Sequence, residues 1–425
     1  MTPVAEVVTT LRVRAQEEIG RSLAEELAEE DAEARAWALL VELVEDENRR
    51  RSLAKDVPLS PEERTEAAQE LFNHLFRLGP LQPLLDDDSV EEVVVNAPAR
   101  GFVVRAGGEK EEFAPGFASD EEVRSLLARI ISRAGRRIDD ASPAVDVRLP
   151  DGARLHALLP PLARRPCLTI RRHRMVAGSL DDLVGLGTAT PELVAFLRRA
   201  VAGGLNVLVS GGTASGKTTT LNALGSAIPP TERVVTIEET AELRLEGLLP
   251  DCVALEARAA NVEGLGHIGI RELVRHALRM RPTRIVVGEV RGPEALDMLS
   301  AMNTGHEGSM GTIHANSARQ ALSKLRTYVL MAEEQLTPDV ANEMIAETVD
   351  LVIHIRLDHR TGTRRVVQVA EVAGLEAGRV LTNDLFRWGP EGLVPTGVRP
   401  RFADRLDELA TGLSPSGFAA SARGR

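Results

Sequence analysis

Leu205-Asn206-Val207-Leu208-Val209-Ser210, then Gly211-Gly212-Thr213-Ala214-Ser215-Gly216-Lys217-Thr218, then Thr219-Thr220-Leu221-Asn222-Ala223-Leu224: this stretch decides the fold. A buried-strand pattern, a glycine-bracketed loop and a helix-forming run follow one another. The loop matches G-x-x-x-x-G-K-T, and the order strand, loop, helix gives the match its meaning. In that order, backbone N–H groups and a helix N-terminus converge on the β- and γ-phosphates of a nucleotide. Gly212, Thr213, Ala214, Ser215, Gly216 and Thr219 form the expected cradle. Lys217 supplies the point charge, and the Thr218 hydroxyl is placed for Mg2+. The bland alternative is a glycine turn capping a strand–helix connection, and the elements downstream disfavour it.

Two more apolar strands downstream end in carboxylates. Val234-Val235-Thr236-Ile237 delivers Glu238 and Glu239, and Arg284-Ile285-Val286-Val287-Gly288 delivers Glu289. Ligands of a parallel sheet collect at the carboxyl ends of its strands. Glu238 is therefore expected to orient and deprotonate an attacking water. Glu289 is expected to hold the metal's water shell from a strand beside the loop strand. Gly305 to Asn316 reads as a flexible loop entering a strand that ends in His314, where the imidazole can touch a γ-phosphate. A lone histidine more often satisfies a local hydrogen bond, and its place at a central strand end favours the ligand role.

From residue 189 onward, continuous apolar strands alternate with helices, the mark of a parallel sheet covered on both faces. Strands are predicted over 205–210, 233–237, 284–288, 308–313 and 350–356. The expected organisation is a helical region over 1–75, a smaller α/β domain over 76–175, a hinge linker over 176–188, the nucleotide domain over 189–400 and a tail over 401–425. In the first region Trp37, Leu40, Val41 and Val44 share a helical face, and Ser60-Pro61-Glu62-Glu63 reads as an N-cap, N1 proline and capping box. That helix turns Leu71, Phe72, Leu75 and Phe76 inward. In the second, strands over 92–96 and 101–105 precede a helix capped by Ser119, a hairpin over 145–159 and a strand over 168–172. Phe402, Leu406 and Leu409 place a helix in the tail, which is then expected to fray.

Composition narrows the function. The net charge of -12 and the 3% aromatic content argue against broad nucleic-acid binding, which needs a positive surface and stacking platforms. No apolar run approaches a membrane span, and the first twenty residues lack a signal-peptide core, so a cytosolic protein is expected. The 2 cysteines, Cys167 and Cys252, match no metal spacing and read as packed thiols. Lysine occurs only at Lys55, Lys110, Lys217 and Lys324 in an arginine-rich chain, so a compact ammonium in the loop stands out.

Together, TASGKT, TIEE, RIVVGEVRG and GTIHAN resemble the Walker A, Asp box, Walker B and His box of the type II/IV secretion ATPases. The stretch LRMRPTRIVVGEVRGPEALDMLSAMNTGHEG, residues 278–308, resembles the CpaF/TadA branch, which powers tight-adherence (Flp) pili; LGPLQPLLDDDSVEEVVVN, VRLPDGARLHALLPP and LTIRR do so too. The resemblance runs from about residue 75 to 375. It implies an α/β, RecA-like P-loop NTPase with a smaller N-terminal α/β domain and a helical extension. It implies ATP and Mg2+, a hexameric ring, and attachment from the cytoplasm to pilus or secretion platform proteins of the inner membrane. It further implies that ATP lies between the two domains and that Arg148, Arg154 and Arg171 reach its phosphates, an assignment that guanidinium geometry suits. Arg279 and Arg281 are weaker candidates. Ala214 stands where the family usually has glycine, Glu239 where it has Asp, and Gly311 where a Thr is common. A VirB-class conjugation or effector-translocation ATPase and a nucleotide-dependent scaffold with little hydrolysis are the rival readings.

Overall fold

The computed structural model describes residues 2–22, 29–105, 108–172, 177–258, 260, 265–358 and 360–412. The chain forms two compact units, Met1–Arg174 and Met175–Arg425.

The first unit opens with three helices, α1 (Pro3–Ser22), α2 (Glu29–Ala54) and α3 (Pro61–Phe76). Val7 and Leu11, Leu40 and Val44, and Leu71 and Phe72 form their common core. Trp37 meets Phe72 edge-on at 5.8 Å. Val41 instead faces water at 38% exposure, because the inward face follows Leu40, Leu43 and Val44. Leu75 and Phe76 are half-buried. The capping box at Ser60 and Glu63 is complete in both directions, which satisfies two orphan N–H groups at the start of α3.

After α4 (Gln82–Asp86) come β1 (Val90–Ala97), β2 (Arg100–Arg105), β3 (Lys110–Phe113), α5 (Asp120–Arg133), β4 (Ala144–Arg148), β5 (Arg154–Leu158) and β6 (Cys167–Arg171). They build one sheet in the order β3-β2-β1-β6-β5-β4. Every pairing in it is antiparallel. Alternation puts Val93, Leu155 and Ile170 on one face, under Val123, Leu127 and Ile131 of α5. Ser119 caps α5 by accepting from the Glu122 N–H. Strand β3 (Lys-Glu-Glu-Phe) was not expected; an edge strand this polar carries no apolar period.

The second unit contains α6 (Leu180–Gly185), α7 (Pro191–Ala202), β7 (Val207–Gly211), α8 (Lys217–Gly225), β8 (Val234–Glu238), β9 (Cys252–Glu256), α9 (Ile270–Ala277), β10 (Arg284–Val290), α10 (Glu294–Asn303), β11 (Met310–His314), α11 (Ala318–Leu330), α12 (Pro338–Thr348), β12 (Leu351–Leu357), β13 (Arg364–Glu376), β14 (Arg379–Gly389), β15 (Gly392–Pro395) and α13 (Ala403–Gly412). The strand order is β15-β14-β13-β12-β7-β11-β10-β8-β9. The six strands from β12 to β9 run parallel, and β13 to β15 extend the sheet as an antiparallel meander. Successive residues serve opposite faces. Val207, Val209, Val286 and Ile353 pack under α6, α7, α8 and α13, while Leu208, Val235, Val287 and Val352 pack under α9 to α12. Both faces are covered, so the strands read as unbroken apolar runs.

One strand neighbour differs from the expectation, and two regions gain detail. The strand carrying Glu289 does not lie beside the loop strand: β11 sits between β7 and β10. Residues 180–185 of the expected linker form α6, with Ser179 and Asp182 in a capping box and Leu180 and Leu183 buried in the second unit's core. Phe402 and Leu406 of the expected tail also enter that core, whereas the side chain of Leu409 and the expected fraying beyond residue 412 lie outside the described residues. In the last two cases a short apolar set is buried in the second unit's core.

Candidate functional site

Strand β7 ends at Gly211, flanked in register by His314 of β11 and Ile355 of β12. A Cβ on Gly211 would stand 2.4 Å from Ser215 Oγ and 2.6 Å from the Ile355 carbonyl, so the loop turns where only glycine fits. Gly216, at φ 96, launches α8 without any side chain capping the helix N-terminus. Four N–H groups open every helix without an intrahelical partner, and here they face a cradle whose rim is backbone. Ser215 Oγ and Lys217 Nζ donate to the Gly212 carbonyl at 2.9 and 3.0 Å. Burial lowers the Lys217 pKa, and Glu289 opposes that shift. This set fits a polyphosphate: an uncapped helix start, a desolvated ammonium and an open loop.

For Mg2+ the fit is of a particular kind. Among the described residues no cluster of three or more His, Cys, Asp or Glu could hold a metal alone. Thr218 Oγ1 instead donates to Glu242 Oε2 at 3.2 Å. One hydroxyl with carboxylates around it suits Mg2+, which keeps several waters and takes the substrate's phosphates as ligands.

The three carboxylates named from the sequence divide sharply. Glu238 is 3% exposed, and it accepts from the Glu242 N–H at 3.0 Å and the Leu243 N–H at 3.1 and 3.2 Å. It pins the turn that brings Glu242 to Thr218. Glu289 is half-buried and accepts from Arg291 Nη2 at 2.7 Å; Arg291 Nη1 reaches the exposed Glu239 at 2.9 Å. Glu289 thus stands at the loop end of the sheet with electrostatic reach to Lys217, while Glu238 is committed to backbone. Glu238, expected to face an attacking water, has its carboxylate turned to the backbone N–H groups of Glu242 and Leu243.

Burial pushes the Glu238 carboxyl up from 4.5 to about 7. A carboxyl that holds its proton more tightly folded than unfolded favours the fold while protonated. That contribution is lost as pH rises from about 4.5 through about 7. Stability should fall across this window by up to roughly 3 kcal/mol on this account. Glu238→Gln keeps an acceptor for both N–H groups and cannot ionise, so urea unfolding at pH 5 and pH 8 should show a flatter profile than the wild type. Identical profiles would place the pH dependence elsewhere.

His314, at the end of β11 beside Gly211, has its pKa lowered by burial and then by Lys217 and Lys324, so the neutral imidazole is favoured. Arg279 and Arg281 precede β10, at the opposite end of the parallel strands from the loop, and are not brought to it. Two neighbours of the loop escaped the sequence reading. Glu242 carried only the signal of an acid four residues beyond Glu238. Arg364, whose Nε donates to the Ala214 carbonyl at 3.0 Å, carried none in an arginine-rich chain.

Arg148, Arg154 and Arg171 lie in the first unit. Register pairs Arg148 with Arg154 and Arg154 with Arg171, so the three form a row across β4, β5 and β6 on the face opposite α5.

A mostly parallel sheet of this order, with a phosphate loop on its central strand, defines a P-loop ATPase of the RecA-like class. Residues 75–379 match the family described as type II/IV secretion system protein. A Mycobacterium tuberculosis protein named "putative conjugal transfer protein" is 42% identical over 317 residues, 73% of this chain and 88% of that one. The type IV secretion system protein VirB11 of Brucella suis is 32% identical over 316 residues, 68% of this chain and 87% of that one. A crystal structure of the Brucella suis VirB11 ATPase with sulphate aligns at 31% identity, covering 70% of this chain and 97% of that one with a TM-score of 0.38. The chain belongs to the type II/IV secretion system family.

Proposed function

We propose that the protein is a motor that hydrolyses ATP at the 211–218 loop and delivers the resulting movement to a secretion or pilus machine at the inner face of the cell membrane. The observation that carries this reading is the convergence of Lys217, Thr218 with Glu242, and Glu289 at one end of the sheet. The loop amides of 212–219 and Lys217 hold the β- and γ-phosphates. Mg2+, when bound, would offset phosphate charge, with Thr218 as its protein ligand and Glu242 and Glu289 around its waters. Glu289 accepts a proton from the water that attacks the γ-phosphorus; the bond to the β,γ-bridging oxygen breaks, and ADP and phosphate leave. Neutral His314 donates to or accepts from the γ-phosphate region and so reports its presence. Arg148, Arg154 and Arg171 complete the phosphate-binding set. The working form is a homo-hexamer. No helix of the described residues is long and apolar enough to cross a membrane. The proposed partners at the membrane are platform proteins.

The finer reading is a tight-adherence (Flp) pilus motor of the CpaF/TadA branch, supported by the run over residues 278–308. The second reading, a conjugation or effector-translocation motor, is favoured by the relatives' names. Deleting the gene separates them: loss of surface pili with intact DNA transfer supports the first, and the reverse supports the second. A phosphate-release assay on the purified protein tests the motor itself. Nucleotide binding without turnover would leave a scaffold.

The arginine row has its own test. Arg154→Ala, at the centre of the row, should lower kcat/KM for ATP by roughly ten- to a hundredfold, the range of a lost charge-assisted hydrogen bond. A melting curve measured beside the kinetics separates a loss of phosphate contact from a loss of folding. Unchanged kinetics would remove the row from the phosphate-binding set.

A further inference from the structure

Ala214 holds a left-handed backbone, φ 57, in the middle of the phosphate loop. An L-residue with a Cβ disfavours that region roughly tenfold in population. Such a residue persists where its surroundings over-determine it. Here the neighbour is Arg364, whose Nε donates to the Ala214 carbonyl at 3.0 Å. Its stem also lies over the launch of α8: a Cβ on Gly216 would stand 3.2 Å from Arg364 Cδ.

Arg364 is itself held firmly. It opens β13 and pairs with Leu357 at the end of β12, while β12 pairs with the loop strand as far as Ile355 opposite Gly211. Within the connection, the Asp358 N–H donates to the Thr363 carbonyl and the Gly362 N–H to the Asp358 carbonyl, both at 2.8 Å. The root of the loop and the arginine that touches its crown are therefore joined through one stretch of paired strand. A side chain on such an element is placed more tightly than one on a free loop.

We propose that Arg364 is a positioning residue: by donating to the Ala214 carbonyl it holds the loop in the phosphate-accepting shape before nucleotide arrives. The inference rests on reading the loop as the ATP site. If Ala214 relaxed to a right-handed conformation, the peptide after it would turn and carry the Ser215 N–H out of the cradle. Apparent affinity falls by the fraction of molecules in the competent shape. Chemistry at saturating ATP, which starts from the bound and ordered loop, would be little affected.

The test is binding of a fluorescent non-hydrolysable ATP analogue with Mg2+ to the full chain, beside steady-state ATP turnover. Arg364→Ala should weaken binding and raise KM by about tenfold, with kcat changed less than about twofold. Arg364→Gln should recover most of the loss, because Gln Nε2 occupies the same place along the side chain as Arg Nε. In an Ala214→Gly background, where the left-handed conformation carries no penalty, Arg364→Ala should cost only about twofold. Three results would overturn the proposal: Arg364→Ala binding like wild type, Arg364→Gln as weak as Arg364→Ala, or equal losses in both backgrounds. The middle one would assign Arg364 a direct charge interaction with the nucleotide instead. Lys217→Ala serves as the reference: if it binds as tightly as wild type, the ATP-site reading itself fails. If it is defective while Arg364→Ala is not, only this inference fails.

Discussion

Lys217→Ala is expected to abolish ATP turnover, lowering kcat by at least about a hundredfold, the scale of losing one preorganised charge at a developing anion. The ammonium lies 3.0 Å from the Gly212 carbonyl, inside the loop that would wrap the phosphates. Burial already disfavours its charged form, so removal leaves no unpaired partner beyond that carbonyl, which retains Ser215 Oγ at 2.9 Å. Alanine also favours the first turn of α8. The thermal midpoint should therefore be preserved while activity vanishes, and phosphate release measured beside a melting curve checks both. Undiminished turnover would remove the loop from the catalytic account.

Glu289→Gln should separate binding from chemistry: nucleotide still binds, and turnover drops by about a thousandfold, within the range for loss of a general base. The contrast with Glu238→Gln is the discriminating result. Both carboxylates end parallel strands and look alike in sequence. Glu238 has its oxygens engaged by the N–H groups of Glu242 and Leu243, which a glutamine oxygen can still serve, so that variant should lose less than about tenfold. Single-turnover kinetics with pre-bound ATP separates the chemical step from binding. A reversal of the two ranks would return the water-activating role to Glu238.

Much of the nucleotide unit was legible because its signals are local. Val207 to Ser210 is buried on both faces of a sheet, which forces an unbroken apolar run. Ser60 and Ser119 cap helices through bonds that span three residues. The meander β13 to β15 was missed. In β14 half-buried and exposed residues alternate, β13 mixes half-buried polar residues with a short buried run, and Gly374 and an irregular register interrupt the period. The helix over 180–185 was missed because six residues bounded by glycines read as a linker until Leu180 and Leu183 find a core.

The chain by itself determined the phosphate loop, the strand before it, the helix after it and the carboxylates at two strand ends. Each follows from glycine freedom, branched apolar runs or helix propensity acting over a few residues. Only tertiary structure decided that β11 enters between β7 and β10 and so sets His314 beside Gly211. It alone brought Glu242 to Thr218, set Arg364 against Ala214 from 150 positions away, and aligned three arginines across β4 to β6. The physical reason is that crossover connections choose strand order, and pairing register chooses cross-strand neighbours, by the burial of whole faces. No window of sequence around a single residue contains that information.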